Sequence, residues 1–114
     1  MAQDCIFCKI AAGDIEADVV LENDHIIAFR DTHPAAPTHI LVIPKKHIPS
    51  LTKAELADVD VLGALQLAAA RLAQEQGLEN GYRVVTNCGE DGGQSVPHLH
   101  YHLLGGRNLT WPPG

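Results

Sequence analysis

The chain of 114 residues is long enough for one domain with one hydrophobic core. Its 46% hydrophobic and 19% charged residues are typical of a globular protein, and its net charge of -6 argues against a nucleic acid partner bound through its phosphates. A single nucleotide in a pocket is not excluded. The N-terminus has no basic segment followed by a long apolar run, and the apolar-rich stretch at residues 61–73 is too short to span a bilayer. We therefore expect a cytoplasmic protein without a membrane partner.

The order of apolar runs and turn residues predicts a short helix, five strands and one long helix, without internal repeats or linkers. CIFCKIAAG predicts a helical turn that ends at Gly13. Asn23 and Asp24 join two runs typical of a hairpin. The predicted strands are VVLEN, HIIAFRD, HILVIP, YRVVTN and VPHLHYHLL.

The long helix is predicted to start at Thr52, whose hydroxyl and the Glu55 carboxylate three residues later fit a capping box. Leu51 and Leu56 fit a hydrophobic staple around this start, and Gly77 fits the residue just past the helix end. The helix is apolar most of the way round, which favours burial on more than one side and a symmetric dimer. The alternative is an alanine-rich helix with one exposed apolar side. One apolar stripe consists of Leu56, Val59, Leu62, Leu65, Ala69 and Leu72.

Cys5 and Cys8 have the spacing with which one turn offers two thiolates to a metal ion. The odd count of three cysteines also favours a metal site or free thiols over disulfides. Two further ligands would have to come from the seven histidines, and spacing alone does not choose the pair. His25 and His33 are interpreted as surface residues.

The stretch HLHYHLL places three histidines on one face of a predicted strand, because side chains alternate faces with period 2. These histidines could bind a catalytic metal, supply a nucleophile beside an anion site, or be structural. The glycine-rich loop GEDGGQS just before the strand favours the nucleophile, since its backbone N–H groups can bind a phosphate. Gln94, Ser95 and Asn87 can add side-chain donors.

The histidine motif resembles the signature of the histidine triad (HIT) superfamily. RDTHPAAPTHILVIPKKHI, NCGEDGGQSVPHLHYHLLGGR and the terminal WPPG are similar to the Hint branch, the histidine triad nucleotide-binding proteins, and the likeness runs from CIFCKI to WPPG. The resemblance implies one α+β domain over residues 1–114 with a HIT-like fold. Its antiparallel five-stranded sheet, one long helix and short N-terminal helix would form a homodimer in which the sheet is continuous.

The resemblance also implies an activity. Hint proteins bind purine nucleoside monophosphates and hydrolyse adenosine phosphoramidates to AMP and an amine through a nucleotidyl-histidine intermediate. Carried over, His100 would be the nucleophile, held by a backbone carbonyl near His98. His102 would contact the phosphate, and His39 would aid phosphate binding and proton transfer to the leaving amine. The alternative is a purine nucleotide-binding or interaction protein with incidental hydrolase activity.

The substrate contacts that the resemblance implies fall into three groups. Asp31 would accept hydrogen bonds from the ribose hydroxyls, and Trp111 would approach the neighbouring subunit's site. Phe7, Ile10, Phe29 and Leu41 would enclose the base, with ordinary core residues as the alternative. The phosphate or the leaving group would be contacted by Asn87, Gly93, Gln94 and Ser95.

Many Hint relatives of bacterial type hold a structural zinc ion. The matching residues here are Cys5, Cys8, His47 and His98, and zinc would orient the triad segment through His98 without taking part in the chemistry. Catalysis by a zinc hydroxide on the triad is less favoured, because two thiolates would close the site. Cys88 is interpreted as a buried small residue.

Overall fold

The structure is a computed structural model and describes residues 4–114. Its sheet has five antiparallel strands in the order β1-β2-β3-β5-β4, which confirms the predicted α+β fold. No helix among the described residues is both long enough and apolar enough to cross a membrane. The elements are α1 (Ile6–Ala11), β1 (Val19–Glu22), β2 (Ile26–Arg30), β3 (Thr38–Pro44), α2 (Val59–Glu75), β4 (Tyr82–Thr86) and β5 (Tyr101–Gly105).

Both faces of the sheet are covered, which explains why β3 is an almost unbroken apolar run. The helix α2 packs on one face, over a core that includes Ile40, Val42, Leu65 and Leu72. On the other face α1 covers a smaller cluster, the α1 cluster, which borders the candidate site. It consists of Cys5, Phe7, Ile10, Ile27, Phe29, Leu41 and Ile43.

The end of α2 is as predicted, but its start is not. Gly77 has a φ of 73° just past the C-terminus, where its N–H donates to the carbonyl of Gln74. The helix begins at Val59, after 3₁₀ turns at Leu51–Lys53 and Leu56–Asp58. No capping bond from Thr52 is formed, because its hydroxyl lies 3.0 Å from the Cys88 sulfur.

Asp58 precedes α2 but makes no side-chain capping bond to it; with Glu55 it forms a capping box around the 3₁₀ turn Leu56–Asp58. Its carboxylate is only 3% exposed, accepts a 2.7 Å hydrogen bond from Lys46 Nζ, and accepts a second from the backbone N–H of Glu55. The predicted staple is also wrong, because Leu56 is 91% exposed.

The last strand starts later than predicted, at Tyr101, and His98 and His100 lie in the extended segment before it. The predicted alternation nevertheless holds. Leu99, Tyr101 and Leu103 belong to the core beneath α2, whereas His98 and His100 contact the Phe7 ring in the α1 cluster. The histidines therefore share one face of the chain.

Candidate functional site

Four side chains from three separate parts of the chain converge beside α1. Cys5 and Cys8 lie at the start of α1, His47 follows β3, and His98 precedes β5. Their four ligand atoms lie within 4.8 Å of one another. The Nδ1 atom of His98 is 3.2 Å from Cys5 Sγ, 3.5 Å from Cys8 Sγ and 3.2 Å from His47 Nδ1.

The hydrogen bond of the His98 ring indicates how these atoms are used. Nε2 of His98 lies 2.8 Å from the Pro44 carbonyl, so Nε2 carries the proton and donates it, and Nδ1 presents a lone pair to the thiols. A tetrahedral zinc ion with bonds of about 2.0–2.1 Å separates two nitrogen ligands by about 3.3 Å. The spacing and chemistry of this donor set therefore fit zinc.

Burial, and then the hydrogen bond from neighbouring Cys5, raise the pKa of the Cys8 thiol to about 11. A cation is what turns such a thiol into a thiolate ligand near neutral pH. The four residues thus form a structural zinc site. It has no position left open for a substrate, because two thiolates and two imidazoles complete a tetrahedron.

His100 lies next to this site and is only 4% exposed. Its Nδ1 is 2.7 Å from the carbonyl oxygen of His98, an acceptor, so Nδ1 carries the proton. The lone pair of a neutral ring is then on Nε2. The Phe7 ring packs edge-on against the imidazole, with 5.1 Å between ring centroids, and fixes its plane.

A second hydrogen-bonded group links β3, β5 and the residue after β2. The backbone N–H of Ala35 donates to His39 Nδ1 at 3.0 Å, so the His39 proton is on Nε2. This Nε2–H group of His39 points at His102 Nδ1, with 2.8 Å between the two nitrogens. Asp31 Oδ2 lies 3.5 Å from His39 Nε2. His102 consequently keeps an Nε2–H group as a donor.

Asp31, His39 and His102 also bring three possible metal ligands within 4.8 Å. The hydrogen bond from the Ala35 N–H to His39 Nδ1 disfavours metal binding by these three residues. A metal on His39 Nε2 would move the ring proton to Nδ1, directly against that donor. The group is therefore a proton-ordered network.

The network predicts a pH dependence of stability. Burial, followed by the charges of His100 and His39, lowers the pKa of His102 from 6.5 to about 4. Between these two values the unfolded chain binds a proton that the folded chain does not, so stability falls as the pH falls from 6.5 to 4. The total loss in the free energy of unfolding across this range is on the order of 3 kcal/mol.

We expect His102→Asn to reduce the pH dependence of the free energy of unfolding in this range, as measured by urea unfolding from pH 7 to pH 4. His25→Asn, on the exposed turn between β1 and β2, is the matched control and should keep the wild-type slope. Parallel profiles for wild type and His102→Asn would contradict the prediction.

A cavity of about 390 Å³ opens beside His100 and His102. Its apolar wall includes four residues of the α1 cluster. Besides the histidines, its polar lining consists of Glu16, Asp18, Arg30, Asp31, Thr32 and Ser95. The structure thus brings together most of the residues that the sequence predicted for substrate binding. Those lining the cavity are Phe7, Ile10, Phe29, Asp31, Leu41, Ser95, His100 and His102.

The remaining predicted contacts stand outside this lining. The Gln94 amide N–H groups donate to the carbonyls of Pro49 and Val96, and its side-chain oxygen accepts from the Gly89 N–H. These bonds stabilise the glycine-rich loop. Asn87 donates to the Gly92 carbonyl at 2.6 Å. The backbone N–H of Gly93 is used within the loop, and Trp111 is 82% exposed. Their roles toward a substrate remain predictions.

The sequence interpretation missed several residues at the site, among them Thr86 and the loop after α1. Thr86, at the end of β4, donates its hydroxyl proton to the His100 carbonyl at 2.8 Å. Its position next to Asn87 was the available signal. The loop after α1 also lines the cavity, through Ile15, Glu16, Ala17 and Asp18.

Comparison with known sequences places this chain among proteins that carry the same motifs. The HIT domain family profile matches residues 12–109. An uncharacterised HIT-like protein of Synechococcus elongatus is 53% identical over 114 residues, which is 100% of both chains. A 14 kDa zinc-binding protein of Zea mays is 51% identical over 111 residues, covering 96% of this chain and 87% of the maize protein.

Solved structures agree with this result. A HIT family hydrolase from Legionella pneumophila superimposes with a TM-score of 0.94 at 54% identity, covering 96% of this chain and 99% of that one. A histidine triad nucleotide-binding protein from Candida albicans gives 0.81 at 31% identity, with 95% and 82% covered. A zinc-bound histidine triad family protein from Mycobacterium smegmatis gives 0.81 at 34% identity, with 96% and 79% covered. This chain therefore belongs to the HIT family, in its zinc-containing, Hint-like branch.

Proposed function

We propose that this HIT protein is a purine nucleoside phosphoramidate hydrolase, which converts adenosine 5′-phosphoramidates to AMP and an amine. The hydrolase from Legionella pneumophila and the nucleotide-binding protein from Candida albicans support the class of reaction and ligand. The motifs shared with the Hint branch support the P–N bond as the target.

The cavity suits a nucleotide. Its apolar wall offers contact surface to a base. Phe7 and Phe29, which both line the cavity, pack edge-on against each other. Asp31 is held by the N–H of His33, which donates to Oδ1, and its carboxylate has lone pairs left for ribose hydroxyls. Ser95 and the His102 N–H are donors at the polar end, where a phosphate would lie next to His100.

In the proposed reaction His100 Nε2 forms a bond to phosphorus while the P–N bond of the substrate breaks. The departing amine takes a proton from solvent, and the Nε2–H group of His102 can donate a hydrogen bond to a phosphate oxygen while the bonds change. Water then attacks phosphorus, the bond to His100 breaks, AMP leaves, and the attacking water returns a proton to solvent. The lowered pKa values of His39 and His102 keep both rings neutral near pH 7, so their tautomers stay ordered.

The zinc site would act on this reaction only through structure. Zinc would bind Cys5, Cys8, His47 and His98 and supply bonds that join α1 to the segments after β3 and before β5. Because the His98 carbonyl accepts the proton of His100 Nδ1, a fixed His98 keeps the nucleophile in register.

The observation that carries the proposal is the 2.7 Å contact between His100 Nδ1 and the His98 carbonyl beside an open cavity. Such a contact orients the lone pair of Nε2, which a passive binding surface does not require. The test is steady-state turnover of an adenosine phosphoramidate together with mass spectrometry after a rapid alkaline quench, because the P–N bond of a nucleotidyl-histidine is stable in alkali and breaks in acid. Tight AMP binding without turnover or adduct would favour the alternative, a purine nucleotide-binding protein.

Thr86 gives a graded prediction within this mechanism. Thr86→Val keeps the shape of the side chain but removes the hydrogen bond to the His100 carbonyl, an effect of about 1 kcal/mol. We expect kcat to fall roughly five-fold with KM nearly unchanged. Thr86→Ser should restore kcat, and a Thr86→Val variant with wild-type kcat would contradict the prediction.

We also infer a homodimer joined through β4, which would extend the sheet across two protomers. β4 is an edge strand with Tyr82 and Val84 exposed, and Val59 and Leu67 on α2 are exposed as well. Unpaired apolar edges of this kind favour pairing with a second copy.

Light scattering after size exclusion should therefore give the mass of two 12.2 kDa chains. Val84→Lys, which places a charge beside the free edge, should shift the protein to one chain, and Val19→Lys on the opposite edge should not. A monomeric wild-type protein would rule out the dimer.

A further inference from the structure

The C-terminal segment, residues 108–114, is attached to the sheet at one place. Two hydrogen bonds from the Arg83 guanidinium reach the main-chain carbonyls of Thr110 and Pro113, the latter at 3.2 Å. Among the described residues these are the hydrogen bonds that join residues 109–114 to the strands. Arg83 lies on β4, opposite Leu104 of β5.

The segment has a strained and specific shape. Thr110 has a φ of 58°, in the left-handed region that β-branched residues rarely adopt. Its N–H donates to the side-chain oxygen of Asn108 at 2.8 Å, and its carbonyl accepts from Arg83. A conformation of this kind persists only when its surroundings impose it.

Apolar packing gives the segment little support. A cavity of about 690 Å³ separates it from the end of the sheet, with Leu78, Tyr82, Leu109 and Thr110 among the lining residues. Trp111 lies between the two carbonyls that Arg83 binds, and its side chain is directed into solvent. No residue of the segment lines the cavity beside His100.

We propose that Arg83 is a positioning residue, which fixes residues 110–113 against β4 and holds Trp111 in the place from which it selects the leaving group. A planar guanidinium presents parallel donors and can bind two carbonyls at once, whereas an ammonium group acts as a point donor. The link to the leaving group rests on the proposed phosphoramidate hydrolysis and on the dimer, because Trp111 does not reach the cavity of its own chain.

Trp111 is the only tryptophan, so its fluorescence reports on the segment directly. In Arg83→Gln we expect the nanosecond anisotropy decay to lose most of its slow component, with an intermediate loss in Arg83→Lys. Arg71→Gln is the matched control, because Arg71 is exposed on α2 and pairs with Glu75. Circular dichroism checks that each variant is folded, and a wild-type decay in Arg83→Gln would overturn the proposal.

The catalytic part compares kcat/KM for two adenosine phosphoramidates, one of an alkylamine and one of an arylamine. Arg83→Gln should change their ratio several-fold in the same direction as Trp111→Ala, and the double variant should add little, since both changes remove one function. A wild-type ratio in Arg83→Gln would overturn the link to the leaving group. A wild-type protein that hydrolyses neither compound would overturn the proposed function, while the fluorescence would still decide the role of Arg83.

Discussion

His100→Ala should lower turnover of an adenosine phosphoramidate by about 10⁴-fold or more, because it removes the atom that bonds to phosphorus in the proposed mechanism. AMP binding should change little, since Asp31, Ser95 and the apolar wall remain in place. The measurements are kcat from steady-state release of AMP and Kd from titration with AMP. In the wild type, a rapid alkaline quench should trap an AMP adduct on a peptide that contains His100.

Two further variants test whether the loss of turnover is specific to the His100 imidazole. His100→Gly leaves a space the size of an imidazole beside Phe7, so added imidazole should restore part of the activity. His25→Ala removes an exposed histidine that does not line the cavity and should keep wild-type turnover. If His100→Ala kept turnover within a few-fold of the wild type, the assignment of the nucleophile would be wrong.

Removal of zinc should destabilise the fold before it affects the chemistry. A site that binds only in the folded state contributes about 4 kcal/mol when the free metal exceeds its Kd a thousand-fold. For a domain of this size that is roughly 15 °C in Tm. We expect a chelator to lower Tm by this order, and Cys8→Ser to do the same without a chelator.

The third cysteine supplies the control for this experiment. Cys88→Ser lies outside the zinc site, next to Thr52, and should keep both Tm and zinc content, measured by metal analysis. Turnover should survive chelation at temperatures well below the lowered Tm. Immediate and complete loss of turnover in a protein that stays folded would instead indicate a catalytic metal.

The sequence predicted those features that depend on side-chain pattern. Alternation placed His98, His100 and His102 on one face, and Gly77 marked the end of α2 because only glycine adopts a φ of 73° readily. The Cys5–Cys8 motif indicated a metal, but the choice of its two histidines came from family resemblance. Spacing along the chain does not show which of seven histidines a fold brings together.

Features that depend on tertiary contacts were predicted wrongly or missed. Thr52 has the right chemistry for a helix cap, but its hydroxyl lies against the Cys88 sulfur and α2 begins only at Val59, after a 3₁₀ turn whose Asp58 carboxylate pairs with Lys46. The start of β5 was misplaced because the Leu99 N–H donates to Ile48 and not to a neighbouring strand. Pro97, which lacks an N–H, contributes to this irregular start.

His98 joins two functions through different parts of one residue. Its ring serves the zinc site, whereas its carbonyl, which every amino acid possesses, accepts the proton of His100. Evolution can therefore replace the ring without losing the acceptor, provided that another side chain fills the space next to Phe7. An aromatic residue at position 98, together with loss of the two cysteines, would yield a lineage that no longer depends on metal supply but keeps the proposed nucleophile. The dependence on zinc in this architecture is thus separable from the orientation of the His100 ring, and it can be gained or lost without changing that orientation.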